Sequence, residues 1–490
     1  MTRPALQTLT LPTWTLFGII VVCGLVLRMM AATGGLWIDE AWSAVFAHEA
    51  SPFLGVFSSI HHDNNHHLNT LWLQLVGVSA PPIVMRGLSI IAGTASIFVA
   101  ARIGLRRGVA TALVSAILFA ATPILVLYGS EARGYAPMLL AALLAITWID
   151  DWLQDPHSAP PADRLAIVAG IGTVAHLMMA PALALLGGWV WLVRLPKQGF
   201  AGATRDTARL FAPAGIVSGA ILITLIGSAY VVAGGMTVGS HTPYNGALFV
   251  HAMGELAGLT TGIGGFGTVS SFALALAALV IMLVTLCGAA PLGHRAWLYM
   301  LLIFAMPLAV LLIQPGNTQF SRYYLLVALG LLLFASERIG ASLTAPGLRR
   351  WLGTGILLIW TLGSLFQCAQ LIENQRGHAE RSVATMAALT PRKARIAIDN
   401  PRARAVLEVA AAQLGYALTI LSGPCDKADY WFLERERGIG AFAHVQRCGD
   451  GWQLIAHADA IGPSGQSWSL YAPQSLQSRA TVAKRPLPAR

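Results

Sequence analysis

Charge is the scarcest ingredient of this sequence. Asp, Glu, Lys and Arg make up 11% of its 490 residues, against about 25% in a soluble globular domain. That deficit excludes an ordinary water-soluble enzyme. Nucleotide-binding signatures are absent too: there is no P-loop, no G-x-G-x-x-G and no Cys/His zinc spacing. Nothing therefore supports the use of a cytoplasmic nucleotide, and a membrane-borne donor is the better expectation. No basic patch interleaves with aromatics, which argues against nucleic acid as a partner. No internal repeat and no cleavable signal peptide are expected, because the first apolar run is long enough to stay in a bilayer. Cysteine is sparse as well. Of the five, Cys23, Cys287 and Cys368 lie in hydrophobic runs and read as small apolar residues. Cys425 and Cys448 lie in a polar C-terminal stretch and could pair if that stretch is outside the cytoplasm.

What the chain has in plenty is hydrophobicity, at 56% of residues. Runs near 11–32, 83–104, 109–127, 136–150, 165–179, 181–195, 209–232, 268–290, 296–313, 323–340 and 351–371 are each read as a bilayer span. The expected fold class is an α-helical polytopic membrane protein of about eleven transmembrane helices. A small extracytoplasmic α/β domain is expected at its C-terminus. Orientation follows from the basic residues. Arg102, Arg106, Arg107, Arg164, Arg194, Lys197, Arg205, Arg209, Arg295, Arg338, Arg349 and Arg350 fall in one set of loops, which belongs inside. Of the basic residues behind the net charge of +10, those in the inter-helix loops then face an anionic leaflet, and a further share lies in the C-terminal part. The loops 33–82, 128–135, 233–267 and 314–322 face out, and an odd span count places the C-terminus outside. The expected organisation is a membrane domain over 1–372, an α/β domain over 373–478 and a disordered tail over 479–490. In the second of these, strands are expected near 396–399, 417–421, 430–433, 452–455 and 468–471. A helix over 401–415 is expected to have Asn400 as its N-cap.

Polar residues gather in the outer loops. Asp39 and Glu40 stand in Trp37-Ile38-Asp39-Glu40-Ala41-Trp42, just after the first span. A carboxylate pair there is a functional-site candidate. It can act as a general base, hold a divalent cation, or cap a helix beginning near Ala41. His61-His62-Asp63-Asn64-Asn65-His66-His67 leads into an interfacial helix near 68–78. It reads as a polar loop, a sugar or phosphate pocket, or a metal site. Glu131 and Arg133 stand in Ser130-Glu131-Ala132-Arg133-Gly134-Tyr135. An Arg on the outer side wants an anion, and a phosphate or an internal ion pair with Glu131 or Asp63 would serve. Arg322, with Tyr323 and Tyr324 beside it, opens a helix on the same side and admits a phosphate or a lipid headgroup. Arg86 faces the same choice, with snorkelling to headgroups the favoured reading. The Gly- and Thr-rich stretch 233–267, with His251 and Glu255, reads as a lid or a flexible link.

The ordered set of these motifs resembles the GT-C superfamily of polytopic glycosyltransferases. It is similar in particular to the branch holding dolichyl-phosphate-mannose–protein mannosyltransferases and the lipid A aminoarabinose transferase. That branch has an Asp-Glu pair in its first outer loop, matched by Asp39-Glu40. It has an Asp/His stretch before a helix, matched by Asp63-Asn64-Asn65-His66-His67-Leu68 without the usual prolines. Arg86-Gly87-Leu88-Ser89, Ser130-Glu131-Ala132-Arg133-Gly134-Tyr135 and Arg322-Tyr323 match its later motifs. The order agrees over 37–144 and more loosely to 324. The resemblance implies an enzyme of a bacterial inner membrane, multi-pass, with its N-terminus cytoplasmic and its C-terminal domain periplasmic. It would move a sugar from a polyprenyl-phosphate donor, with inversion, to a lipid, polysaccharide or protein acceptor. Asp39 would be the base and Glu40 its support. Arg133 and Arg322 would bind the donor phosphate. His62, Asp63, Asn64, His66, Glu131, Tyr135 and Tyr323 would line the sugar and acceptor pocket. A divalent metal ion is left open, with Asp39, Glu40 and His66 as its ligands. The rival readings are a lipid-linked sugar flippase or transporter and a non-catalytic envelope assembly protein. The absence of inverted repeats disfavours the transporter, and intact Asp39, Arg133 and Arg322 disfavour the scaffold.

Overall fold

The computed structural model describes residues 10–50, 53, 55–60, 66–155, 158–235, 242–264, 273, 276–277, 279–280, 282, 291–421, 423, 425–436 and 438–473. His62, Asp63 and Asn64, most of the expected span 268–290 and the expected tail 479–490 lie outside the described residues.

The helices run in chain order as α1 (Leu11–Ala31), α2 (Ile38–Glu49), α3 (His67–Val76), α4 (Pro82–Met85), α5 (Gly87–Leu105) and α6 (Val109–Ala121). They continue with α7 (Pro123–Tyr128), α8 (Tyr135–Gln154), α9 (Ala162–Ala175), α10 (Met179–Ala233) and α11 (Gly246–Thr261). After them come α12 (Arg295–Met300), a π-helical turn (Leu301–Ala305), α13 (Met306–Ile313), α14 (Leu325–Thr344) and α15 (Leu348–Asn374). The C-terminal part adds α16 (Glu380–Leu389), β1 (Lys393–Ile398), α17 (Ala403–Leu414), β2 (Ala417–Leu421), β3 (Tyr430–Arg435), β4 (His444–Arg447), β5 (Asp450–Ala458) and β6 (Ser467–Pro473).

Among the described residues, seven helices are long and apolar enough to cross a membrane. The remaining expected spans take other forms. Pro123 breaks 109–127 into α6 and α7. The expected spans 181–195 and 209–232 share α10, which is interrupted at Gly199, where φ is 68°. Only a residue without Cβ adopts that backbone cheaply. The stretch 233–267 holds α11, capped by Asn245, whose side chain accepts from the N–H groups of Ala247 and Leu248. It is a structured element rather than a simple link.

The chain divides into two compact units. The first comprises 1–31, 50–72 and 86–370. Its helices pack by close approach of small residues, as membrane bundles do. Gly340 on α14 lies so close to Thr111 on α6 that no Cβ would fit. At the ends of α5, α8, α12 and α14 a buried ion network replaces this apolar packing. Asp150 receives Arg106 Nη1 at 2.5 Å, Arg295 Nη2 at 2.7 Å and His294 Nε2 at 2.7 Å. Arg295 also bonds Glu337, which Arg107 Nε meets at 3.4 Å. Several of the basic residues counted as inner-loop charges are therefore paired.

The second unit comprises 32–49, 73–85 and 371–490. It carries a six-stranded mixed sheet in the order β2-β1-β3-β6-β5-β4. β1 pairs in parallel with β2 and β3, and β3, β6, β5 and β4 are successively antiparallel. The parallel pair β1–β2 needs a crossover, which α17 supplies. Alternation along β1 and β3 puts Ala394, Ile396, Tyr430 and Phe432 into one core with Leu407 of α17 and Val383 and Met386 of α16. Asn400 is not the N-cap of α17. The helix starts at Ala403, and the Asn400 side chain instead accepts from the N–H of Arg402 in the turn before it. Cys425 and Cys448 form a disulfide, with Cα atoms 5.7 Å apart.

Candidate active site

In the first unit the loop 129–134 is held from several sides. Pro123 opens α7, and Gly134 precedes α8. Between the helices, Asn69 Nδ2 donates to the carbonyl of Ala132 at 2.5 Å, and Ser89 Oγ donates to that of Arg133 at 2.9 Å. Gly134 is wedged against α9, where a Cβ would collide with the carbonyl of Ala175. A loop held this closely fixes the direction of its side chains.

Glu131 and Arg133 are both buried here. Arg133 Nε donates to His66 Nε2 at 3.1 Å, and its Nη2 lies 2.8 Å from the same atom. The Gly134 N–H points at His66 Nδ1, 3.2 Å away. A neutral imidazole has one acceptor nitrogen, so its tautomer selects which of the two donors it holds. Burial first, and the nearby Arg133 charge second, hold His66 well below the usual imidazole range. Arg322 acts on it in the same direction. The His66 ring also packs edge-on to Tyr135, with centroids 5.0 Å apart. Arg322 lies over Phe320 and Tyr323, at 4.3 and 5.6 Å from their ring centroids.

Four groups join this buried cluster without a motif to announce them. His176, just past α9, has its ring 4.6 Å from those of His66 and Tyr135. Its Nδ1 accepts from the N–H of Met178 at 2.9 Å, so the ring proton sits on Nε2. That Nε2 is buried and has no hydrogen-bond partner among the described residues. Tyr128 is the second, and its hydroxyl is likewise buried with no partner among the described residues. Burial and the neighbouring Glu131 push the Tyr128 phenol well above its ordinary range, so it keeps its proton. Third and fourth are Glu255 of α11 and Ser321, whose Oγ donates to Glu255 Oε2 at 2.6 Å. Arg86 is fully buried. It does not snorkel to headgroups as the sequence reading had it, because Gly87 and Ser89 beside it pack inward against Trp72 and the Arg133 carbonyl.

Asp39 and Glu40 belong to the second unit. α2 begins at Ile38, so Asp39 lies in its first turn and is not its cap. Glu40 is fully buried and accepts from the Trp37 N–H at 3.3 Å, the backward half of a capping box. The following helix face packs on α17, and Arg402 lies 5.9 Å from the Trp42 ring centroid. Acidic groups in a first turn sit well with the helix dipole. Among the described residues no group of three or more His, Cys, Asp or Glu side chains forms a metal-ligand set.

The first unit thus brings together Arg133, His66, Glu131 and Tyr135 with His176 and Tyr128, under the field of Arg322. Such a buried cluster offers fixed cationic and N–H or O–H donors in a water-poor setting. That chemistry suits a phosphate whose negative charge grows as a bond breaks.

No family model and no curated protein sequence matches this chain. Solved structures do. ArnT from Cupriavidus metallidurans bound to undecaprenyl phosphate superposes with a TM-score of 0.55 at 12% identity, covering 95% of this chain and 99% of that one. The apo state of the same protein gives 0.56 at 10% identity over the same coverage. The chain therefore has an ArnT-like fold over nearly its whole length. The Archaeoglobus fulgidus oligosaccharyltransferase gives 0.47 at 11% identity, over 82% of this chain and 62% of that one.

Proposed function

We propose that this protein is a membrane glycosyltransferase that moves a sugar from a polyprenyl-phosphate donor to an extracytoplasmic acceptor. One observation carries the reading. A buried cluster around Arg133 also holds two protonated groups that have no hydrogen-bond partner among the described residues, His176 Nε2–H and Tyr128 O–H, within a fold whose solved relative holds undecaprenyl phosphate.

In this reading Arg133 and Arg322 bind the phosphate, and His66 fixes the Arg133 guanidinium. His176 and Tyr128 donate to phosphate oxygens. Asp39 takes the proton of the acceptor hydroxyl as its oxygen bonds to the anomeric carbon. The carbon–oxygen bond to phosphate breaks, and its electron pair leaves with the phosphate, where the two arginines stabilise it. Attack opposite the leaving group inverts the anomeric centre. Glu40 supports Asp39 through the first turn of α2, and Glu131, Tyr135 and Tyr323 line the sugar and acceptor pocket, with His62, Asp63 and Asn64 before them in the chain.

The test is sugar transfer by the detergent-solubilised protein from a panel of radiolabelled polyprenyl-phosphate sugars to envelope acceptor. Transfer is expected from the wild type. A fall of at least about 100-fold is expected in both Asp39→Asn and Arg133→Ala, as for loss of a base or of an oxyanion ligand. Binding of polyprenyl phosphate should survive in Asp39→Asn and weaken in Arg133→Ala. Lipid binding without transfer by any form would turn the reading to a flippase or an assembly protein.

A further inference from the structure

One charge in the first unit has no place in the site just described. Arg28 lies on α1, a helix that is otherwise apolar toward its end, and it is 1% exposed. Charge at such depth is costly and calls for a function. All three of its hydrogen bonds go to backbone carbonyls: Gly24 at 2.9 Å, Ala120 at 3.1 Å and Phe119 at 2.9 Å.

Two of those carbonyls end α6, and the sequence explains why they need a partner. Pro123 has no N–H to give the Phe119 carbonyl, and it drives Thr122 out of the helical region, to ψ 124°. The N–H of Leu125 then turns to Thr122 and not to Ala121. In an apolar setting an unmet carbonyl is as costly as a lost hydrogen bond in hydrocarbon. The carbonyls of Phe119 and Ala120 are met by the Arg28 fork. That of Ala121 is met by Cys368 Sγ at 3.2 Å.

The space around Arg28 is cut to its shape. A Cβ on Gly93 of α5 would stand 2.8 Å from Arg28 Nε, and so would one on Gly129. The side chain thus passes between α5 and the start of the 129–134 loop. A cavity of about 10 Å³ lies beside it, lined in part by Ser96, Tyr128 and Gly129. That is room for about one water.

We propose that Arg28 is a positioning residue for the phosphate-binding loop. It locks the broken end of α6, so that the six-residue α7 delivers Glu131 and Arg133 at a fixed height. A helix that short does not hold its own direction; its anchor does. The inference rests on the transferase reading for its effect on catalysis, but not for its effect on the loop. Lysine is a poor substitute, because a single ammonium does not reproduce a planar fork across two carbonyls.

The experiment measures amide hydrogen exchange and donor kinetics in the full-length protein carrying Arg28→Ala or Arg28→Lys. Arg28→Ala is expected to speed exchange at least about tenfold in peptides spanning 123–135, while 325–344 stays at wild-type protection. KM for the polyprenyl-phosphate sugar should rise by a similar factor. Arg28→Lys should recover part of both, and it carries the test alone if the alanine variant does not fold. Unchanged exchange at 123–135, or a loss spread equally over 325–344, would overturn the proposal. A wild type that transfers no sugar would sink the transferase reading, and the exchange result would still decide whether Arg28 holds the loop.

Discussion

Gly134 shows how much one missing methyl can matter. Its absent Cβ leaves room for the Ala175 carbonyl. Gly134→Ala must therefore push the 129–134 loop off α9, and overpacking of this kind costs about 1–3 kcal/mol or more. The thermal midpoint should drop and transfer should fall at least about tenfold; normal kinetics with a normal midpoint would show that the loop adapts. The histidines make a prediction about pH. Burial pushes His67 down to about 4 and holds His66 well below its usual range, whereas both titrate near about 6.5 when unfolded. Below that pH the unfolded chain binds protons that the folded one refuses. The stability these rings contribute is complete above about pH 6.5 and is lost as pH falls toward 4. Thermal midpoints should decline through this window, and less steeply in His67→Gln. At this scale the sequence was partly legible. Arg133 and Glu131 stood out because charge is conspicuous in a short loop between apolar runs. His176 did not, since a single His between apolar runs carries no spacing signal, and its partners come from 66 and 135. Glu255 was visible only as a residue of a supposed lid.

Among the elements, periodicity and apolar length gave the long helices their places, because a bilayer demands about 20 residues of each. They did not reveal α11, whose mixed Gly and Thr content lowers helix propensity and whose N-cap Asn245 is a one-residue signal. Nor did they separate α7 from α6, although Pro123 marks the break in hindsight. In the C-terminal part, expected strands are found close to where alternation put them, while β4 was missed because four residues, His444–Arg447, leave too short a pattern. The ion network at the ends of α5, α8, α12 and α14 was read as loop charge, since sequence does not show which acid meets which base. Breaking a buried pair by removing one partner costs about 3–5 kcal/mol. Asp150→Asn should therefore lower the thermal midpoint sharply, and more than Asp151→Asn, whose carboxylate is half exposed. Equal effects of the two would mean that the network is solvated.

Over the whole molecule, the assignment of 32–49 and 73–85 to the unit built around the C-terminal sheet was out of reach of composition, which sees only neighbours along the chain. The disulfide was open to the sequence only as a condition on compartment, and the two cysteines do pair. Closing a loop between residues 23 apart is worth about 3 kcal/mol. Cys448→Ser, or reduction, should destabilise the second unit by roughly that amount, and the transition of the first unit should stay in place. Finally, the π-helical turn at Leu301–Ala305 bears on lineage as well as on shape. Such a turn is an α-helix carrying one supernumerary residue. Related chains should therefore tolerate a one-residue gap at 301–305, while α12 and α13 keep the faces they present. Gaps of one residue anywhere else along 295–313 would turn every following side chain by about 100° about the axis. That single site is where the length of this span is free to drift.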